Sequence, residues 1–194
     1  YDMILVDDAL QAREAAGNPI RVGVVGAGFM CQGLTNQIAH SVAGMQVVAI
    51  SNRKVERAAG VFKYSGYQDV AFADTQRALD DAIACGRPVV TEDAFLLARS
   101  GLVDVLVDAT GSVEFGARVT LEAFKHGKDV VLLNAEIDAT IGPILQTYAA
   151  KHGVILSACD GDEPGAQMNL YRWVKGLGLT PRVIGNVKGL QDPY

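Results

Sequence analysis

The residues Gly26-Ala27-Gly28 stand where an apolar, strand-like run, Ile20-Arg21-Val22-Gly23-Val24-Val25, gives way to a helix-like one. Gly26 permits a tight turn, and Gly28 lets the main chain approach a ligand closely. Free N–H groups and the dipole at the helix start would meet negative charge. The chemistry this favours is the binding of a pyrophosphate, with Phe29 and Met30 opening the helix beside it. The third small-residue position of such a turn is Cys31 rather than Gly or Ala. That position serves strand–helix packing, so a small thiol is tolerable, and Gly33 could relieve the same contact. A glycine turn with no ligand is the plainer alternative. It is weakened by the strand before, the helix after and a second strand at the expected distance.

The end of that second strand reads Ile50-Ser51-Asn52-Arg53-Lys54 and has no carboxylate. An NAD site usually places an acid there to hold the ribose hydroxyls. Ser51 can instead donate to a 2′-phosphate and Arg53 can clasp it, with Asn52 between them and Lys54 as a weaker helper. NADP(H) is therefore favoured over NAD(H). The alternative places Arg53 and Lys54 as solvated residues in the first turn of a helix. Cations there are mildly unfavourable with the dipole, which tilts the reading toward a ligand.

Ligands of an open parallel sheet sit beyond the carboxyl ends of its strands, so later strand ends are candidates too. Ala109-Thr110-Gly111 follows a strand and could contact the nicotinamide half of the cofactor; Asn134-Ala135-Glu136 would lie beside it. Asp160, Asp162 and Glu163 put three carboxylates in four positions. They could bind a divalent metal ion, assist proton transfer or hydrogen-bond a polyol; a solvated acidic turn is the competing reading. Cys159 is expected to pack rather than react.

These residues need a framework of alternating strands and helices. Asp8 to Ala16 is helix-prone. Met30, Leu34, Ile38 and Val42 recur at four-residue steps, as on one helix face. Strands are expected at Met45–Ile50, Pro88–Thr91, Val103–Asp108, Asp129–Asn134 and Val154–Ala158. Helices are expected at Arg53–Phe62, Asp74–Cys85, Glu92–Arg99, Glu114–His126 and Asp138–His152, the last capped by Asp138. Strands that are apolar on both faces and alternate with helices imply an α/β fold, a doubly wound parallel sheet of the Rossmann type. The expected organisation is a helical extension over residues 1–19 and a dinucleotide-binding domain over 20–160. Residues 63–101 form an insertion or an elaborated strand–helix unit. Residues 161–194, with a helix at Ala166–Lys175 and a strand at Arg182–Lys188, open an α+β substrate domain. The start at Tyr1 and the stop at Tyr194 are those expected of a fragment of a longer protein.

The net charge of −5 provides no basic field for nucleic acid, and no apolar run reaches the length of a membrane helix. Three separated cysteines without metal-site spacing fit a reducing cytoplasm. His40, His126 and His152 each fall late in an expected helix, as solvated residues. The partner expected is a small-molecule substrate, and the assembly expected is a homo-oligomer.

Five motifs occur in a telling order: Gly26-Ala27-Gly28-Phe29-Met30, Val107-Asp108-Ala109-Thr110-Gly111, Asn134-Ala135-Glu136, Asp160-Gly161-Asp162-Glu163-Pro164-Gly165 and Gly185-Asn186-Val187-Lys188-Gly189. Together they resemble the homoserine dehydrogenase-like oxidoreductases with a C-terminal SAF domain, a group that includes deoxyxylulose-phosphate reductoisomerase-like enzymes. The resemblance implies an NADPH-dependent reductase or reductoisomerase of a small polar carbonyl compound. Its most specific form is conversion of deoxyxylulose phosphate to methylerythritol phosphate, a step of isoprenoid biosynthesis. It also implies Lys188, Asn134, Glu136, Asp160 and Asp162 as active-site residues. Asp160, Asp162 and Glu163 are the metal candidates. Lys188 could polarise a carbonyl or bind a phosphate. The homoserine dehydrogenases carry an Asn-Lys pair where this chain has Asn134-Ala135-Glu136, which argues against homoserine as the substrate. A polyol or hydroxy-acid dehydrogenase needs no metal. A non-catalytic dinucleotide sensor would need the glycines and Arg53 but neither the acidic loop nor Lys188.

Overall fold

The computed structural model describes residues 6–159 and 165–185. The chain divides into two units, Tyr1–Ala158 and Cys159–Tyr194. The first begins with helix α1 (Val6–Ala15), then alternates β1 (Ile20–Val25), α2 (Phe29–Ser41), β2 (Met45–Ser51), α3 (Val55–Tyr64) and β3 (Ala71–Phe72). It continues through α4 (Gln76–Ala84), β4 (Val89–Thr91), α5 (Ala94–Arg99), β5 (Val105–Asp108), α6 (Val113–Lys125), β6 (Asp129–Leu132), α7 (Ala135–His152) and β7 (Leu156–Ala158). The second unit holds α8 (Gly165–Gly176).

The seven strands form one sheet in the order β3-β4-β2-β1-β5-β6-β7, and every neighbouring pair is parallel. A parallel strand needs a crossover, and the crossovers cover both faces with helices. On one face Cys31 and Ile38 of α2, with Ala58, Val61 and Phe62 of α3, pack on Val22, Val24, Val47 and Ile50. On the other, Leu79 of α4, Leu97 of α5, Phe124 of α6 and Leu145 of α7 pack on Leu106, Val130, Leu132 and Leu156. This is the doubly wound α/β architecture that the apolar strands imply.

Several local expectations are corrected. The buried face of α2 is Cys31, Thr35 and Ile38, whereas Met30 is exposed. In the first turn it is Cys31 that faces the sheet, and Met30 beside it faces away. Helix α7 starts at Ala135, capped by Asn134 rather than Asp138, because the Asn134 Oδ1 accepts the Ile137 N–H at 3.3 Å. Glu136 and Asp138 then fall in its first turn, where acidic groups suit the dipole. Segment 63–101 contributes β3 and β4 to the sheet beyond β2; β3 was not foreseen, since two residues carry no readable alternation. The described part of the expected Arg182–Lys188 strand, 182–185, is in no regular element, having no ladder partner among the described residues. Residues 186–188 lie outside the described residues.

β2 carries a bulge. Val22 pairs with Val47 but Gly23 pairs with Ala49, so Val48 has no partner across the ladder. The side-chain alternation slips there: Val48 and Ala49 both join the core cluster opposite that of Val47 and Ile50. No described helix is long and apolar enough to cross a membrane.

At the amino edge of the sheet Arg21 is held by Asp104. Its Nη2 lies 2.7 Å from Oδ1, and its Nε and main-chain N–H donate to Oδ2 at 3.0 and 2.8 Å. Burial pushes the Asp104 carboxyl up, but the hydrogen bonds and charge of Arg21 outweigh it and hold the group below the usual carboxylate range. Nearby, Lys128 donates to the Val103 carbonyl at 2.8 Å, and burial lowers its pKa. A carboxyl whose pKa is lower in the folded state contributes stability at neutral pH and loses it as pH falls through the folded value. Both partners of the pair are about a third open to water, which screens them. Arg21→Ala should therefore cost only about 1 kcal/mol at neutral pH. Urea unfolding should show the gap from the parent closing as the pH drops below about 4.

Candidate functional site

The ends of four strands are tied together beside the glycine turn. Gly26 N–H donates to Ser51 O at 2.8 Å, Ala109 N–H to Val25 O at 2.8 Å, and Asn52 N–H to Thr91 O at 3.0 Å. Gly26 has φ of 103°, and a Cβ there would stand 2.8 Å from the Ala109 carbonyl oxygen. Only glycine satisfies both demands.

Gly28 is different. Its φ of −88° and ψ of −171° suit any residue, and a Cβ there would meet no atom within 4 Å. Nothing in the protein requires a glycine at this point; what its size preserves is open space. Gly28 occupies the N-cap of α2 without a side-chain cap, and no acidic residue lies in the first turn. The N–H groups of that turn are thus available to an external anion.

A cleft of about 700 Å³ opens over these ends. Of the residues expected to bind cofactor, Gly26, Gly28, Ser51, Asn52, Arg53, Ala109, Thr110 and Gly111 line it. Phe29 and Met30 stand at the start of α2, 87% and 55% exposed, and are not among its lining. Ser51 is 1% exposed, so it presents little more than the floor of the cleft. Asn52 Nδ2 donates to Lys54 O at 2.8 Å. Arg53 precedes α3 instead of opening it, since Lys54 is the N-cap, again with no side-chain cap. The expected penalty for a cation inside the first turn therefore does not apply to Arg53.

The cleft also contains Ala27 of the glycine turn, together with Arg57, Glu92, Ser112 and Phe115, which were not among the expected site residues. Arg57 follows Arg53 by four residues, and that spacing was the available signal. Glu92 and Phe115 come from β4 and α6 territory, and only the sheet order brings them here. Among the described residues, Arg53, Arg57 and Glu92 take part in no ion pair.

Behind the cleft wall lies a buried polar cluster. Asp108 Oδ1 accepts the Thr110 N–H at 2.9 Å. Asn134 Nδ2 approaches Asp108 Oδ2 at 3.1 Å, Thr110 Oγ1 at 3.2 Å and Ser112 O at 3.3 Å. Burial pushes the Asp108 carboxyl above its ordinary range despite these bonds. Asn134, expected as an active-site residue, is thus placed as a buried cap and loop anchor. Glu136 is exposed on the first turn of α7 and does not line the cleft. Asp160, Asp162, Glu163 and Lys188 lie outside the described residues. Among the described residues no three His, Cys, Asp or Glu side chains are grouped to hold a metal ion.

Cys31 packs fully buried at the third position of the turn, its Sγ 3.9 Å from Thr35 Oγ1. Burial drives its thiol to about 11, so it is not a thiolate at neutral pH. His40, His126 and His152 are exposed.

Residues 22–157 match the family described as "Homoserine dehydrogenase, NAD binding domain". No curated protein sequence matches the chain. Among solved structures, it resembles a homoserine dehydrogenase from Thiobacillus denitrificans at 21% identity and a TM-score of 0.53, over 73% of this chain and 29% of that one. It also resembles a 3-ketoreductase from Actinomadura kijaniata, solved with TDP-benzene and NADP, at 22% identity and a TM-score of 0.59, over 82% and 43%. A third is a scyllo-inositol dehydrogenase from Lactobacillus casei, solved with NAD(H), at 17% identity and a TM-score of 0.56, over 83% and 41%. At these identities the likeness shows a shared fold. The chain spans less than half the length of each of these proteins.

The two glycines should separate on substitution. Gly28→Val should change unfolding stability by less than about 1 kcal/mol yet abolish dinucleotide binding in a fluorescence titration. Gly26→Ala should cost about 1–3 kcal/mol in the same unfolding assay, through the strained φ and the Ala109 collision.

Proposed function

The chain belongs to the homoserine dehydrogenase NAD-binding family, and from that premise we propose that it binds NADP(H) and serves an oxidoreductase acting on a small polar carbonyl compound. The observation that carries this reading is the open space before Gly28. It faces an uncapped helix start, in a cleft that runs from Arg53 and Arg57 to the Ala109-Thr110-Gly111 loop. A pyrophosphate fits that space, and the residues on either side fit the two nucleotides.

The preference for NADP(H) is supported by two arginines flanking the uncapped start of α3, where the dipole adds to their attraction for a 2′-phosphate. Glu92 is the opposing term, a single carboxylate from the neighbouring strand end. Two cations and a helix start outweigh one acid.

The bound nicotinamide ring supplies hydride transfer. The chain's own share is to neutralise phosphate charge at the α2 start and to hold the 109–111 loop rigid. Polarising the carbonyl falls to Lys188, with Asp160, Asp162 and Glu136 as proton-handling or substrate-binding groups. The reductoisomerase reading adds a divalent cation at Asp160, Asp162 and Glu163. Loss of turnover in a strong chelator supports that addition, and full activity in the chelator removes it.

Titration should find NADPH bound at least about tenfold more tightly than NADH, and Arg53→Ala or Arg57→Ala should erase most of the difference. Equal affinities in the parent protein would sink the NADP assignment. Lys188→Ala should stop turnover with cofactor affinity intact, an outcome incompatible with a non-catalytic sensor.

A further inference from the structure

Asp108 and Asn134 are each 1% exposed, and they meet directly behind the cofactor cleft. Their bonds to the wall end on Thr110 and Ser112. Asp108 takes the Thr110 N–H, and Asn134 reaches the Thr110 hydroxyl and the Ser112 carbonyl. The other end of the same amide caps α7 through Ile137. One buried pair therefore joins the ends of β5 and β6, the loop between β5 and α6, and the start of α7.

The packing leaves the pair no freedom. Gly116 of α6 sits against it, where a Cβ would collide with Asp108 Oδ2 and Ile137 Cδ1 and stand 3.3 Å from Asn134 Nδ2. A buried carboxylate is costly, and an apolar pair of similar volume could hold two strands and a helix together. What an apolar pair cannot do is fix the direction of the Thr110 N–H and hydroxyl. That direction matters because the loop lines the cleft.

Strand order assigns the ends of the dinucleotide. β1 carries the pyrophosphate turn, with β2 on one side and β5 on the other. Arg53 and Arg57 follow β2, so the adenosine half belongs there and the nicotinamide half belongs over the loop after β5. We propose that Asp108 and Asn134 are positioning residues that set the Ala109-Thr110-Gly111 main chain for the nicotinamide half alone. This rests on the reading that the cleft binds NADP(H).

The test is a charge-conserving exchange. In Asp108→Asn a donor faces the Asn134 donor; in Asn134→Asp two carboxylates face each other. The double exchange restores one donor and one acceptor between the two positions while still offering an acceptor to Thr110 N–H and to Ile137 N–H; the Thr110 hydroxyl can turn to donate, and only the Ser112 carbonyl, the farthest of the three acceptors at 3.3 Å, loses its donor. Affinities are measured for NADPH and for adenosine 2′,5′-bisphosphate, which lacks the nicotinamide half, with thermal unfolding alongside. Each single variant should bind NADPH about tenfold or more weakly, keep the bisphosphate within about twofold, and recover NADPH to within about fivefold of the parent in the double exchange, the remainder being the lost Ser112 bond. Equal weakening of both ligands, or of neither, overturns the proposal, as does a double variant that holds the bisphosphate without regaining NADPH. Where a single variant does not fold, the double exchange decides on the same criterion. Failure of the parent to bind either ligand is a separate result: it refutes the cofactor reading, and the positioning role falls with it.

Discussion

The distance between Gly26 and the Ala109 carbonyl is the constraint on which the site is built. At a Cβ separation of 2.8 Å no side chain fits at position 26, so the β1 turn can lie directly on the chain leaving β5. That contact lets the Val25 carbonyl take the Ala109 N–H and the Ser51 carbonyl take the Gly26 N–H. The ends of β1, β2 and β5 become one rigid rim. Each part of the proposed cofactor site hangs from that rim: the uncapped start of α2, the arginines after β2 and the loop after β5. The open space at Gly28 begins two residues past that closed turn.

The two aspartates of the β5 region show how position along a strand sets chemistry. Asp104 at the amino edge is paired with a cation and is held ionised. Asp108 at the carboxyl edge has only neutral donors, and burial raises its pKa. With a folded pKa above the unfolded one, ionised Asp108 opposes folding as pH rises through that interval. The structure tolerates this because the carboxylate orients its neighbours. The amino edge of the sheet thus carries stability, while the carboxyl edge spends some of it on geometry.

Much of this was legible in the residues. β1 runs over Ile20–Val25 as the apolar run implies, and the glycine turn, the alternation of elements and the parallel sheet follow from strands greasy on both faces. What was not legible shares one cause: it depends on contacts between distant segments. Asn134 could not be recognised as a cap and anchor without Asp108 and Thr110 beside it. Glu92 reaches the cleft only through the neighbouring positions of β2 and β4. The buried stripe of α2 differs from the apolar spacing because Met30 opens onto solvent and Thr35 does not.

The unpaired Val48 gives β2 an asymmetric tolerance for change. A different apolar side chain at that position only alters local packing, because no ladder partner depends on it. Removing the residue would leave a regular ladder, with Val47, Ala49 and Ile50 alternating strictly between the two cores. No half of β2 would have to turn over, and what would be lost is the packing of one buried valine in the core that Val48 shares with Ala49. The bulge is therefore the place where β2 can lose a residue and keep both of its faces, so the strand that looks imperfect is one whose length can be changed without exchanging side chains between the cores.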